Sequence, residues 1–252
     1  MKKLLMLIAI ISPMLLCAQT TAPKKNKFGV TVMTPAPNQV RDFESNLAAH
    51  NKEFHKGQQA VDIFQALTGN RTGQFYFVSR NLSTWADVQK RFEFVDEKAH
   101  SADWSLNVAP RLEGPMPYFI YTVSDDSYAS PNHADMETEL EGLYFIELNN
   151  GMEDDFFSSV KKIKEMYQKA NSKDYFTVQT SVFDKGTNVI VAFPLPQGWA
   201  SFEPNPATEW PVMFKAAFPK DDFKAFMKKF NDAQKTFESV VIKHRKDLSS
   251  PM

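Results

Sequence analysis

Apolar and polar residues alternate with a period of two in several short runs, the pattern of strands with one buried face. Phe28 to Met33 is the first such run, and Pro37-Asn38 then opens a stretch of helical spacing. Val61 to Thr68 and Gln74 to Arg80 read as two further strands, joined by Gly69-Asn70-Arg71-Thr72-Gly73. Two glycines in so short a connection suit a hairpin. Thr84-Trp85-Ala86-Asp87 has the spacing of a capping box at a helix start. After Gly114-Pro115-Met116-Pro117, Tyr118 to Val123 is a fourth strand, so the order is β-α-β-β-α-β.

The second half repeats this order. Leu143 to Leu148 is a strand, Met152 to Ala170 a helix, and Tyr175 to Phe183 and Asn188 to Phe193 are strands around Asp184-Lys185-Gly186. Asp221 to Thr236 reads as a helix, with Phe223, Phe226, Phe230 and Phe237 on one face. Ser239 to His244 is either the last strand or more of that helix. Phe28 and Leu143 lie 115 positions apart, and Trp85 and Trp199 lie 114 apart. Two similar offsets across unrelated elements point to a tandem duplication. Units at 28–124 and 142–248 would be separated by a linker at 125–141.

The β-α-β-β-α-β order is the ferredoxin-like split unit. Two such units in one chain resemble the dimeric α/β-barrel superfamily in a fused form, which implies an α+β fold closing an intrachain barrel. The first half is similar to NIPSNAP-type proteins in His50-Asn51-Lys52-Glu53-Phe54-His55, in Leu67-Thr68-Gly69 with Thr72-Gly73, and in Ser83-Thr84-Trp85-Ala86-Asp87. The superfamily also holds small monooxygenases, haem-degrading enzymes and haem-dependent chlorite dismutases. Fold alone does not choose among them.

Candidate chemistry is sparse. A step of about 100° per residue places Val40, Phe43, Leu47, His50 and Phe54 in one arc of about 80°, with Asn51 at its margin and His55 further round. His50 and Asn51 are thus either core residues or a polar pair facing a ligand. His55, Trp85, Tyr76 and Trp199 complete the set of candidate ligand-binding residues. The two tryptophans are expected to pack at the barrel ends. The five-residue step from His50 to His55 spreads them about 140° on a helix, and His100, His133 and His244 are isolated in sequence, so no metal site is expected. Haem needs only one histidine and an apolar pocket, and is kept open as a cofactor. GxSxG, HExxH and phosphate-binding glycine loops are absent. Gln197 to Pro211 reads as a long irregular insertion.

Composition narrows the setting. Lys2 and Lys3 precede an apolar run from Leu4 to Leu16 that ends at Cys17-Ala18-Gln19, the parts of a secretory signal peptide over 1–18. The run is too short to span a membrane. Leu16 before Cys17 speaks against lipid attachment, and cleavage after Ala18 would leave a polar leader, 19–27, and no thiol. The net charge would move from −1 to −3 with the loss of Lys2 and Lys3, which argues against nucleic acid as a partner. The sequence therefore predicts a periplasmic or secreted barrel that binds a small apolar or aromatic ligand and is open to self-association. An oxidoreductase or monooxygenase of the same superfamily, and an interaction module using Trp199 to Pro211, are the alternatives.

Overall fold

The computed structural model describes residues 27–79, 82–129, 138–184, 188–206 and 208–251. The expected signal peptide, nearly all of the polar leader, Arg80 at the end of the third expected strand, His133 within the expected linker, and Lys185-Gly186 lie outside the described residues. Strand β1 (Lys27–Met33) is followed by α1 (Val40–Phe54), β2 (Val61–Ala66), β3 (Phe75–Ser79), α2 (Trp85–Lys90), α3 (Glu97–Asp103) and β4 (Tyr118–Val123). The second half runs β5 (Leu140–Leu148), α4 (Glu153–Lys169), β6 (Thr177–Ser181), β7 (Asn188–Pro194), α5 (Trp210–Ala217), α6 (Phe223–Asp232) and β8 (Gln234–His244).

The eight strands among the described residues close into one antiparallel barrel in the order β1-β3-β2-β8-β5-β7-β6-β4. Each half keeps the split-unit order, β4-β1-β3-β2 and β8-β5-β7-β6. The halves meet edge to edge, with Phe64 opposite His244 and Tyr121 opposite Ser181. Joining at both seams leaves no free sheet edge. The concave faces enclose a shared interior.

Alternation along each strand decides what that interior holds. Phe28, Val30 and Val32 point inward from β1, and Leu143 and Phe145 from β5. The opposite parity faces the helices. Phe43 and Leu47 of α1 pack on Met33, Val61, Ile63 and Phe75. On the other half, Phe156, Val160 and Met166 of α4 pack on Ile146, Leu148 and Val189, with Phe214 of α5 and Phe226 of α6 in the same cluster. Gly29 and Gly142, outward on the first strand of each half, lie directly beneath the rings of Tyr118 and Phe193, where a Cβ would meet ring-substituent or ring atoms at 2.0 Å and 2.2 Å.

Two expectations give way. The last helix ends at Asp232, and Gln234 already begins β8, so Thr236 and Phe237 belong to a strand. Asn149 helps to set that break: its backbone N–H donates to the Ala233 carbonyl at 2.9 Å, and its side chain donates to the Asp232 carbonyl at 2.8 Å. The insertion after β7 is not wholly irregular, since α5 starts at Trp210. Pro211 sits in its first turn, where a missing N–H removes no helical hydrogen bond. Among the described residues no helix is long and apolar enough to cross a membrane.

Candidate functional site

The barrel encloses a cavity of 580 Å³. Its wall is apolar through Phe28, Val30, Phe64, Phe119, Leu143 and Phe145. Polar groups gather toward its two ends. At one end Arg71 donates from Nε to Glu238 Oε2 at 2.9 Å, and its guanidinium lies 4.1 Å from the Phe145 ring centroid. Tyr76 lines the same cavity, and burial pushes its hydroxyl up to about 12 against the lowering effect of Arg71. The arginine comes from the hairpin that joins β2 to β3, where Gly69 and Gly73 take positive φ angles of 72° and 86°. That backbone suits glycine and turns the Arg71 side chain over the barrel rim.

Glu141 stands toward the other end. It borders both this cavity and a second one of 820 Å³ that continues past Asp62 and His244. Burial raises the Glu141 carboxyl to about 7, Asp62 adds to the rise, and His244 opposes it. His244 faces Asp62 Oδ1 with Nε2 at 3.2 Å and stacks on Phe64 at 4.8 Å. A carboxyl poised near neutrality on an apolar wall can hold or release a proton.

The sequence candidates divide between two places. Tyr76 is in the barrel. His50 and Asn51, 1% and 0% exposed, line neither cavity and lie outside the barrel wall. Asn51 Nδ2 donates to the Leu248 carbonyl at 2.7 Å. It holds the turn after β8 in a position where Ser250 Oγ and Ser249 Oγ accept the N–H groups of Val61 and Ile63, each at 2.9 Å. Asn51 is therefore a tail anchor.

His55 departs from its expected place. It follows the end of α1 with φ −97° and ψ 81°, so the helical step no longer applies, and its ring turns inward to 2% exposure. His100, isolated in sequence, arrives on α3. The ring centroids of His50, His55 and His100 lie 4.8 to 5.4 Å apart. The histidines expected to stay apart are thus brought together: one ring nitrogen from each lies within 4.8 Å of the others. His50 Nδ1 meets Asp103 Oδ2 at 2.7 Å, and His55 Nδ1 meets the Gln59 carbonyl at 3.0 Å. Burial lowers all three, His55 to about 3 and His100 to about 4, with Arg91 pulling the same way on both. Asp103 raises His50 but does not outweigh burial. Burial also raises Asp103, yet hydrogen bonds from His50 and Asn107 win and hold it low.

Trp85 and Trp199 do not seal the barrel. They are 49% and 53% exposed. Trp85 begins α2 beside Phe183, with centroids 5.7 Å apart, and Trp199 lies beside Phe202 at 6.2 Å. Sequence reasoning missed Arg71, Glu141 and Glu238. The inward parity of Glu141 and Glu238, shared with Leu143 and Phe145 of β5 and Val240 and Ile242 of β8, was the signal available.

No family model matches the chain, and no curated protein matches it. Among solved structures it is similar to an anthrone oxidase-like protein, with a TM-score of 0.56 and 11% identity over 87% of this chain and 91% of that one. A candidate monooxygenase from Lactobacillus acidophilus gives 0.51 and 11%, over 90% and 96%. A double mutant of the chlorite dismutase from Candidatus Nitrospira defluvii gives 0.51 and 10%, over 89% and 93%. At such identities the likeness is one of fold. With eight strands, two split units and this seam pairing, the chain has the dimeric α/β-barrel fold, both units in a single polypeptide.

Proposed function

We propose that this is an exported barrel protein that binds a small, largely apolar aromatic molecule inside the barrel, with an anionic or acceptor group toward Arg71. The apolar cavity of 580 Å³ with a guanidinium at one end carries this reading. Apolar walls supply affinity and a few fixed polar groups set orientation. The test is titration with anilinonaphthalene sulfonate, an aromatic anion that fluoresces in apolar surroundings. Saturable binding at one site per chain is expected, together with a raised thermal midpoint. Leu143→Trp, which places a larger ring in the cavity, should weaken it, and Arg71→Gln should weaken it about tenfold, the scale of one charge-assisted hydrogen bond. Unsaturable binding, or equal binding by folded Leu143→Trp, would overturn the reading.

A second reading, an oxidase or monooxygenase, draws on Glu141. A carboxyl held at about 7 can accept a proton from an acidic C–H or O–H of a bound aromatic compound. Haem fits poorly. Among the described residues no histidine lines the barrel cavity. Haem added to the protein should therefore give no Soret band.

A further inference from the structure

We propose that His50, His55 and His100 bind a divalent transition-metal ion, with zinc the best match, outside the barrel and independently of its cavity. Three observations converge. The rings come from three separate positions, α1, the residue after it, and α3, yet bring a nitrogen each to within 4.8 Å of the others. In all three the Nε2 atom is buried and has no hydrogen-bond partner among the described residues. Two of the rings have their other nitrogen fixed: His50 Nδ1 by the Asp103 carboxylate and His55 Nδ1 by the Gln59 carbonyl.

That last point decides the chemistry. Carboxylate and carbonyl oxygens only accept, so each Nδ1 carries the proton and each Nε2 presents a lone pair. A histidine whose second nitrogen donates to a carboxylate or backbone carbonyl is the usual support for a metal ligand. His50 and His55 thus keep a lone pair on Nε2, and a cation between the rings would accept it.

Imidazole suits zinc, copper and nickel better than calcium or magnesium. Zinc–nitrogen bonds of about 2.0–2.1 Å place tetrahedral ligands about 3.3 Å apart. Binding therefore requires the nitrogens, now within 4.8 Å of one another, to draw in to that spacing. Asp103 supplies the compensating negative charge. Arg91 opposes it, held by Ser79 Oγ at 2.5 Å, and favours an anion or hydroxide as the fourth ligand.

The position of α3 suggests what the ion does. This helix buries none of its residues. His100, Asp103 and the following Trp104, 5.2 Å from the His50 ring, attach it to His50 of α1. An ion here would fasten α3 to the end of α1.

The test uses the untagged full chain carrying Cys17→Ser, which removes its only thiol. Equilibrium dialysis against zinc should give one ion per chain, and cobalt should give the intense visible bands of a tetrahedral site. His100→Ala, at the least buried of the three rings, should weaken zinc binding by more than about 100-fold, and Asp103→Asn by about 10- to 100-fold. Zinc should raise the thermal midpoint of the parent and leave that of His100→Ala unmoved. A parent that takes up no stoichiometric zinc, or a folded His100→Ala that binds as the parent does, overturns the proposal. Should His100→Ala not fold, His55→Gln and the zinc-dependent midpoint of the parent carry the same decision.

Discussion

The two halves share one strand and helix order but fill their outer layers differently. Between α4, α5 and α6 the space is taken by phenylalanine: Phe156 stacks on Phe230 at 5.3 Å, and Phe214 on Phe226 at 4.8 Å. Between α1 and α3 it is taken by His50 and His100 at 4.8 Å, with Trp104 edge-on. A phenylalanine layer is complete in itself, because rings need only contact. A histidine layer is not, because each buried ring brings two nitrogens that require partners. Where a fold can use phenylalanine and uses histidine instead, the local rule has been broken in favour of chemistry.

The largest effect is expected where the second half's layer is broken. Phe214 is 1% exposed at the centre of the ring cluster. Phe214→Ala should lower unfolding free energy by about 3–5 kcal/mol in urea titration. A loss below about 1 kcal/mol would mean that the layer contributes little.

The barrel shared by both halves offers the next test. Glu141 moves from an ordinary 4.5 to about 7 on folding. The folded state therefore holds its proton more tightly than the unfolded chain does. Its contribution is greatest below pH 4.5 and is lost as the pH rises through about 7. The size is about 1–3 kcal/mol, and Glu141→Gln should remove that pH dependence from the unfolding midpoint.

A smaller effect lies at the start of α2. Thr84 Oγ1 accepts the Asp87 N–H at 3.1 Å while the Asp87 carboxylate accepts the Thr84 N–H at 2.7 Å. Thr84→Ala should cost about 1 kcal/mol. The smallest change is the most informative for the comparison. His100 already stacks on Phe94 at 3.6 Å, so His100→Phe turns the first half's layer toward that of the second. In metal-free buffer its stability should stay within about 1 kcal/mol of the parent, since a partnerless nitrogen is removed along with the ring.

The barrel strands were legible because alternation is a local signal. In β4 the bounds at Tyr118 and Val123 follow directly from the run between Pro117 and Ser124. The failures were also local. Phe237 continues the spacing of Phe223, Phe226 and Phe230, so a helical period ran on past Asp232 into a strand. Pro211 in a proline-rich stretch hid α5, although a first-turn proline is compatible with a helix. Of the candidate site, Tyr76 on the barrel wall and the buried stripe through His50 were legible. His55 was lost because the helix ends before it, and His100 because nothing in sequence ties α3 to α1. Trp85 and Trp199 share a place after the third strand of each half, but place alone does not determine exposure.

X-ray absorption at the zinc edge, on protein loaded with one equivalent of zinc, tests the contrast between the halves most directly. The account predicts a nearest shell of nitrogen or oxygen at about 2.0–2.1 Å, with multiple scattering from three imidazole rings. A spectrum of hydrated zinc without imidazole scattering would contradict it, and the histidine layer would then be packing like its phenylalanine counterpart.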